Sequence, residues 1–208
     1  MVWDAIGRSY DQVAKRYEAR FVDELSVKPR DRELLDAFAH ATGDPVLELG
    51  CGPGQVGSFV RHCGRVVIGL DLSAEMAALA VTRLDAAMTG DIRRLPIASA
   101  SVGGVVAFYS FIHLPRHELP LALHEVARVL RPGGRVLFAV HEGVGEIERE
   151  EFLDVRVPFV ASLFQLDELV AATDAAGLTV AATNRRPPVP DEAQTFRLYV
   201  EAFRPGTV

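Results

Sequence analysis

Cysteine is scarce: the 208-residue chain has two, Cys51 and Cys63. They do not form a metal-type pair and suggest no disulfide framework. Both read as small, reduced core residues. The six histidines show no ligand spacing, so no metal is expected. Long basic blocks are missing, and 22 basic against 28 acidic side chains leave a net charge of −6. A nucleic-acid partner is therefore disfavoured. The opening MVWDAIGRSYDQ lacks the basic-then-apolar pattern of a secretory leader. No apolar run reaches the roughly 18 residues that cross a bilayer. No GxSxG is present, so a serine-hydrolase arrangement has no support. A cytoplasmic protein with no membrane partner is the expectation.

What is present is alternation. Tyr10, Val13, Ala14, Tyr17 and Phe21 fall at helical spacing. A second helix follows Pro29, with Leu34, Leu35 and Phe38 on one face and Gly43 as its stop. Apolar runs at 46–49, 65–70, 104–109 and 135–140 read as strands, and 88–92 as a short strand end. Helices are predicted over 55–62, from Ser73 to about Leu84, and from Pro115 through Leu130. The last part reads as a helix over 166–177 and two strands, 178–186 and 195–203, paired as a hairpin. Near-continuous apolar strands separated by helices define a doubly wound α/β fold: a mostly parallel sheet between two helical layers, its last strand antiparallel.

In such a sheet, ligands bind beyond the carboxyl ends of the strands. The first strand runs into ELGCGPGQVG. Gly52, Gly54 and Gly57 satisfy the dinucleotide spacing GxGxxG, a weak signal alone. Glu48 sits at the mouth of that turn and would repel a pyrophosphate. A phosphate-free ligand with a positive end, such as S-adenosylmethionine, suits it better. Asp71 ends the second strand where an acid accepts hydrogen bonds from ribose hydroxyls. Asp91 follows the third strand and is placed to accept from the adenine amine, with Leu72 and Ile92 sandwiching the ring. His113, after the fourth strand, and His141, at the end of the fifth, are the candidate general bases; loop structure is the competing role of each. Arg186 and Arg197 flank the closing hairpin, either as surface residues or as contacts to an anionic substrate.

These pieces, with GLDLSAEM (69–76) and LHEVARVLRPGGRVLFAVHE (123–142), resemble the class I S-adenosylmethionine-dependent methyltransferases, most closely their small-molecule branch. The resemblance implies a Rossmann-like, three-layer fold with seven strands. It implies S-adenosylmethionine as cofactor, S-adenosylhomocysteine as product and a small-molecule acceptor. By the same resemblance Gly50, Gly52 and Gly54 line the methionine part, Leu72 and Met76 touch the adenine region, and Tyr109 lies beside the ribose or sulfonium. Tyr10 and Tyr17 belong to an N-terminal helix that folds over the pocket. One domain is expected over 1–208: a helical cap (1–43), a cofactor-binding core (44–141), a possible substrate cap (142–165) and a helix with the closing hairpin (166–208). In the cap, the apolar half is expected to face the acceptor and the charged half to be solvated. Gly103 departs from the acid usual at that position, which would loosen the local turn. A nicotinamide-dependent oxidoreductase and a non-catalytic cofactor-binding protein are the competing functions.

Overall fold

The computed structural model describes residues 2–190 and 192–206, leaving out the side chains of 2–4. Residue 1 of the predicted 1–43 segment and residues 191, 207 and 208 of the predicted 166–208 segment lie outside it. Seven strands form one sheet: β1 (Val46–Leu49), β2 (Val67–Asp71), β3 (Ala86–Thr89), β4 (Val102–Phe108), β5 (Leu130–His141), β8 (Thr179–Arg186) and β9 (Arg197–Phe203). Their order is β3-β2-β1-β4-β5-β9-β8. The first five run parallel, and β9 is antiparallel to both β5 and β8. The predicted architecture is therefore correct, including the closing hairpin. Every residue of β1 and β4 is buried, as expected of parallel strands covered on both faces.

Helices α1 (Val2–Phe21), α2 (Pro29–Ala41), α3 (Gln55–His62), α4 (Ala74–Ala80), α5 (Leu119–Val129) and α6 (Leu166–Ala175) cover the sheet. In α5 the buried residues are Leu119, Ala122, Leu123, Val126 and Val129. That spacing is the apolar stripe of a one-sided helix, and it joins Leu169 of α6 against one face of the sheet. Phe38 of α2 and Val56 and Val60 of α3 pack on the opposite face.

Three expectations change. The helix predicted from Pro115 starts instead at Leu119, after two 3-10 turns at Phe111–His113 and Arg116–Glu118. Pro120 explains this: proline has no N–H to donate and belongs in a first helical turn. Helix α4 stops at Ala80, after which Leu84 turns in over Gly54, Gly57 and Gly69. Residues 142–165 contain a hairpin that was not foreseen, β6 (Glu146–Arg149) paired with β7 (Phe159–Ser162).

Gly103 has a steric explanation rather than a loosening effect. A Cβ there would overlap the carbonyl of Gly43, and one on Gly104 would overlap the Thr42 hydroxyl. That hydroxyl donates to the Gly103 carbonyl at 2.8 Å. The glycine pair thus lets the loop before β1 lie flat on β4. Gly103→Ala is expected to destabilise the fold by about 1–3 kcal/mol through overpacking. Urea unfolding of the variant measures it.

Candidate cofactor and acceptor site

Two adjoining cavities open beyond the carboxyl ends of β1, β2 and β4. The first, about 70 Å3, is lined by Ile6, Gly7, Asp71, Leu72, Ser73 and Ile92 among others. The second, about 230 Å3, reaches from the glycine turn to His141, Phe152, Phe159 and Arg197. Tyr10, Tyr17, Gly50, Gly52, Phe108 and Tyr109 border both.

Gly50, Gly52 and Gly54 have φ of +62°, +51° and +88°, values that favour glycine. A Cβ at Gly50 would also overlap Ser110. The turn's own N–H groups are all engaged. Gly50 and Cys51 donate to the Leu70 carbonyl at 2.7 and 3.1 Å, and Gly54 to Cys51 at 2.8 Å. Gly52 donates to the Asp71 carboxylate at 2.8 Å. Glu48 is buried and accepts from the Gly57 N–H, in the first turn of α3, at 3.0 Å. The residue that repelled a pyrophosphate on paper is therefore also an internal cap on α3, and it lines the larger cavity from beneath. Burial, opposed by the Gly57 N–H, pushes its carboxyl well above the ordinary range.

Asp71 accepts from Gly52 with one oxygen and from the Ser73 N–H, at 2.8 Å, with the other. Burial outweighs those bonds and raises its carboxyl to about 6. Leu72 and Ile92 both line the smaller cavity, as the sandwich requires. Two predicted contacts are not brought there. Asp91 is held by its neighbour Arg93, with Nη2 at 2.6 Å, and does not line either cavity. Arg93 in turn reaches Glu118 at 2.9 Å. Met76 is buried in α4, where its N–H donates to the capping Ser73 hydroxyl at 3.1 Å, and it too lines neither cavity.

Tyr109 has φ of +57°, a conformation rare outside glycine. It turns the ring off the end of β4 to stack on His141 at 5.3 Å between centroids. His141 contacts the Thr195 hydroxyl through Nδ1 at 2.8 Å. Burial, helped by the charge of Arg197, holds its imidazole down to about 3. His113 is committed on both ring nitrogens. Nδ1 faces the Val160 carbonyl at 2.8 Å and so donates; Nε2 then accepts from the Tyr10 hydroxyl at 2.8 Å. Burial lowers its pKa to about 4. Neither histidine is a strong base at neutral pH. His113 instead fastens α1 and β7 to the loop after β4. His113→Ala should destabilise the protein by about 1–2 kcal/mol, since two part-buried groups lose their partner. Thermal and urea unfolding check this, while the pH profile of turnover keeps its shape.

The sequence missed several residues of this site. Phe152, in the half of the cap expected to be solvated, stacks on Phe159 at 4.7 Å and lines the larger cavity. In the apolar half, Val157 and Phe164 belong to the interior and Phe159 faces the cavity. Arg186 and Arg197 are buried, at 6% and 2% exposure, rather than on the surface. Arg186 pairs with Asp31 at 3.0 Å and Glu192 at 2.7 Å, and donates to the Tyr199 hydroxyl at 2.9 Å. Alternation could have exposed this: Arg197 and Tyr199 are two apart on one strand and share a face. Cys51 is buried, whereas Cys63 is only half-buried.

Fold and site together define an α/β protein with a narrow slot at its switch point and an adjoining aromatic-walled chamber. Residues 46–134 match the family described as methyltransferase domain. A malonyl-[acyl-carrier protein] O-methyltransferase from Pectobacterium atrosepticum is 38% identical over 137 residues, covering 65% of this chain and 52% of that protein. Among solved structures, an S-adenosylmethionine-dependent methyltransferase from Methanosarcina mazei superposes with a TM-score of 0.71 at 16% identity, over 79% of this chain and 94% of the other. Magnesium protoporphyrin IX methyltransferase from Synechocystis, with bound S-adenosylmethionine, gives 0.70 at 16% identity over 97% of each chain. Residues 46–134 thus match a methyltransferase domain, and the fold is shared with S-adenosylmethionine-dependent methyltransferases of known structure. The chain spans about half to three-fifths of the length of curated relatives it matches, 52% of the Pectobacterium protein and 61% of an uncharacterised methyltransferase from Geobacillus thermodenitrificans.

Proposed function

We propose that this protein transfers a methyl group from S-adenosylmethionine to a small-molecule acceptor by in-line displacement. The observation that carries the reading is the state of the glycine turn. The N–H groups of Gly50, Cys51, Gly52 and Gly54 are spent on Leu70, Cys51 and Asp71, and Glu48 takes the Gly57 N–H in the first turn of α3. A pyrophosphate needs those donors free, so a nicotinamide dinucleotide is disfavoured. A sulfonium nucleoside needs acceptors and carboxylates, which the turn has. Two buried side-chain atoms without partners also border the cavities: Ser110 Oγ and Gln55 Oε1. Such atoms cost free energy unless a ligand satisfies them. Both suit the amino-acid end of the cofactor, Gln55 Oε1 accepting from its ammonium.

In this reading Asp71 takes the ribose hydroxyls and Leu72 and Ile92 hold the adenine, with Asp91 and Met76 outside the contact set. Gly50 and Gly52 let the backbone approach the methionine part. Tyr10 and Tyr17 close the pocket from α1. Adenosine entry requires α1 to lift off Leu72, because the closed space of about 70 Å3 is below the roughly 300–1,000 Å3 of ligand pockets.

When bound, S-adenosylmethionine would supply an activated methyl whose bonding pair stays on sulfur while the acceptor's lone pair takes the carbon, the acceptor having lost its proton to solvent before the chamber closes or losing it as the product leaves. The chain's own part is orientation and exclusion of water. Phe152, Phe159, Tyr10 and Tyr109 wall the acceptor chamber, and alignment of two reactants can contribute about 7–11 kcal/mol. With His113 and His141 weak as bases, positioning carries the acceleration. Calorimetry with S-adenosylhomocysteine and with NAD tests the reading. Binding of the first and not the second is expected; the reverse would sink it. A screen of metabolites with labelled methyl donor then tests turnover.

A further inference from the structure

The far wall of the larger cavity holds a buried charge cluster. Lys28, Arg186 and Arg197 face Glu24, Asp31 and Glu192. Glu192 is the hub: Lys28 reaches it at 2.9 Å, Arg186 at 2.7 Å and Arg197 at 3.3 Å. The Val189 N–H adds a fourth donor at 2.9 Å. Asp31 belongs to α2 and Glu24 to a 3-10 turn, while Glu192 lies on the loop between β8 and β9. It is the acid of the three that can withdraw without unwinding an element. Arg197 is 2% exposed, and its Nε is buried with no hydrogen-bond partner. Lys28, Arg197, Glu192, His141 and Tyr109 all line the cavity. Lys28 and Arg197 also lie 5.7 and 5.9 Å from the centre of the Tyr109 ring.

An unpartnered buried guanidinium N–H is costly in a native protein. Three cations converging on one loop carboxylate form an anion site whose present occupant belongs to the chain. We infer that this is the anchoring site for a carboxylate on the methyl acceptor, and that Glu192 stands in for that carboxylate in the resting protein. The ligand class is a small, partly aromatic or aliphatic acid. Its carboxylate displaces Glu192 from Arg197 and Lys28, and its apolar body lies against Phe152 and Phe159. Glu24 touches the cofactor end through Gln55 at 2.9 Å, but topology sets Arg197 apart from the cofactor's own carboxylate. The glycine turn follows β1, whereas β9, which bears Arg197, lies three strands away, roughly 14 Å at about 4.8 Å per strand.

This inference rests on the methyltransferase reading above, and the test keeps the two apart. Protein saturated with S-adenosylhomocysteine is titrated with 4-phenylbutyrate, 4-hydroxybenzoate and octanoate, and with the primary amide of each. At least one acid is expected to bind about tenfold or more tighter than its amide, the scale of a hydrogen bond to a charged group. Arg197→Met should abolish that preference and Arg197→Lys should retain part of it. Glu192→Gln should tighten acid binding, because the resident competitor is gone. Equal binding of acids and amides, including no binding of either, overturns the inference, as does a preference that survives Arg197→Met or weakens in Glu192→Gln. If Arg197→Met weakens S-adenosylhomocysteine but not methylthioadenosine, which lacks the amino acid, the site belongs to the cofactor and the inference fails. Failure of the wild-type protein to bind S-adenosylhomocysteine at all would instead defeat the methyltransferase reading.

Discussion

Asp71→Ala is expected to weaken S-adenosylhomocysteine binding about a hundredfold, the equivalent of losing one or two hydrogen bonds to a charged group. The carboxylate organises the turn through Gly52 and the approach to α4 through Ser73, and it faces the cavity beside Leu72. Its pH behaviour gives a second readout. Burial raises the Asp71 carboxyl to about 6. Ribose hydroxyls donate to the ionised form, so affinity should be full above that value and decline as pH falls through it. Binding, in return, should lower the pKa. His113 and His141, held near 4 and 3, stay neutral across the same interval and add no slope there. Calorimetry from pH 5 to 8 should therefore show a decline at the acid end in the wild type, about 6 at its midpoint, and a flatter profile in Asp71→Asn. Unchanged affinity in Asp71→Ala would remove the ribose assignment.

Arg186→Met should destabilise the fold by about 3–5 kcal/mol, the usual effect of removing one partner of a buried ion pair. Asp31 is 1% exposed. It receives Arg186 Nε at 3.0 Å and the Tyr199 hydroxyl at 2.6 Å. Without Arg186, a carboxylate is left inside the protein with one neutral donor. Glu192 loses two of its contacts as well. Adding Asp31→Asn to Arg186→Met should recover a sizeable part of the loss, since the stranded charge goes with it. Urea unfolding with the slope held constant across the variants gives the comparison. A loss below about 1 kcal/mol, typical of an exposed pair, would show that the pair is solvated in solution.

The sheet was legible because its signals are local. Buried strands such as VLEL and GVVAF are near-continuous apolar runs, and Ser73 marks its helix by capping it. Asp71 stood out by its place at a strand end, and it lines the smaller cavity together with Leu72. Asp91 stays outside both cavities for a local reason too: Arg93, two residues on, holds its carboxylate, and no strand-end rule weighs a neighbour of that kind. The charge cluster was hidden because its partners are far apart in the chain. Asp31 meets Arg186 and Tyr199 across 155 and 168 positions, and no spacing rule spans that distance. Phe152 was overlooked because it stands among acids, in a segment whose hairpin becomes visible only once Phe159 packs against it. His113 offered a plausible chemical role from its position. Only its two neighbours, Tyr10 and Val160, show that both nitrogens are committed.

A loop whose backbone donors are already satisfied from within keeps its shape whether or not anything sits on it. Converting this protein to hold a phosphorylated nucleotide would thus take more than one exchange of side chain. Glu48 and Asp71 would both have to let go of Gly57 and Gly52, and each release would first undo the bend that makes the slot.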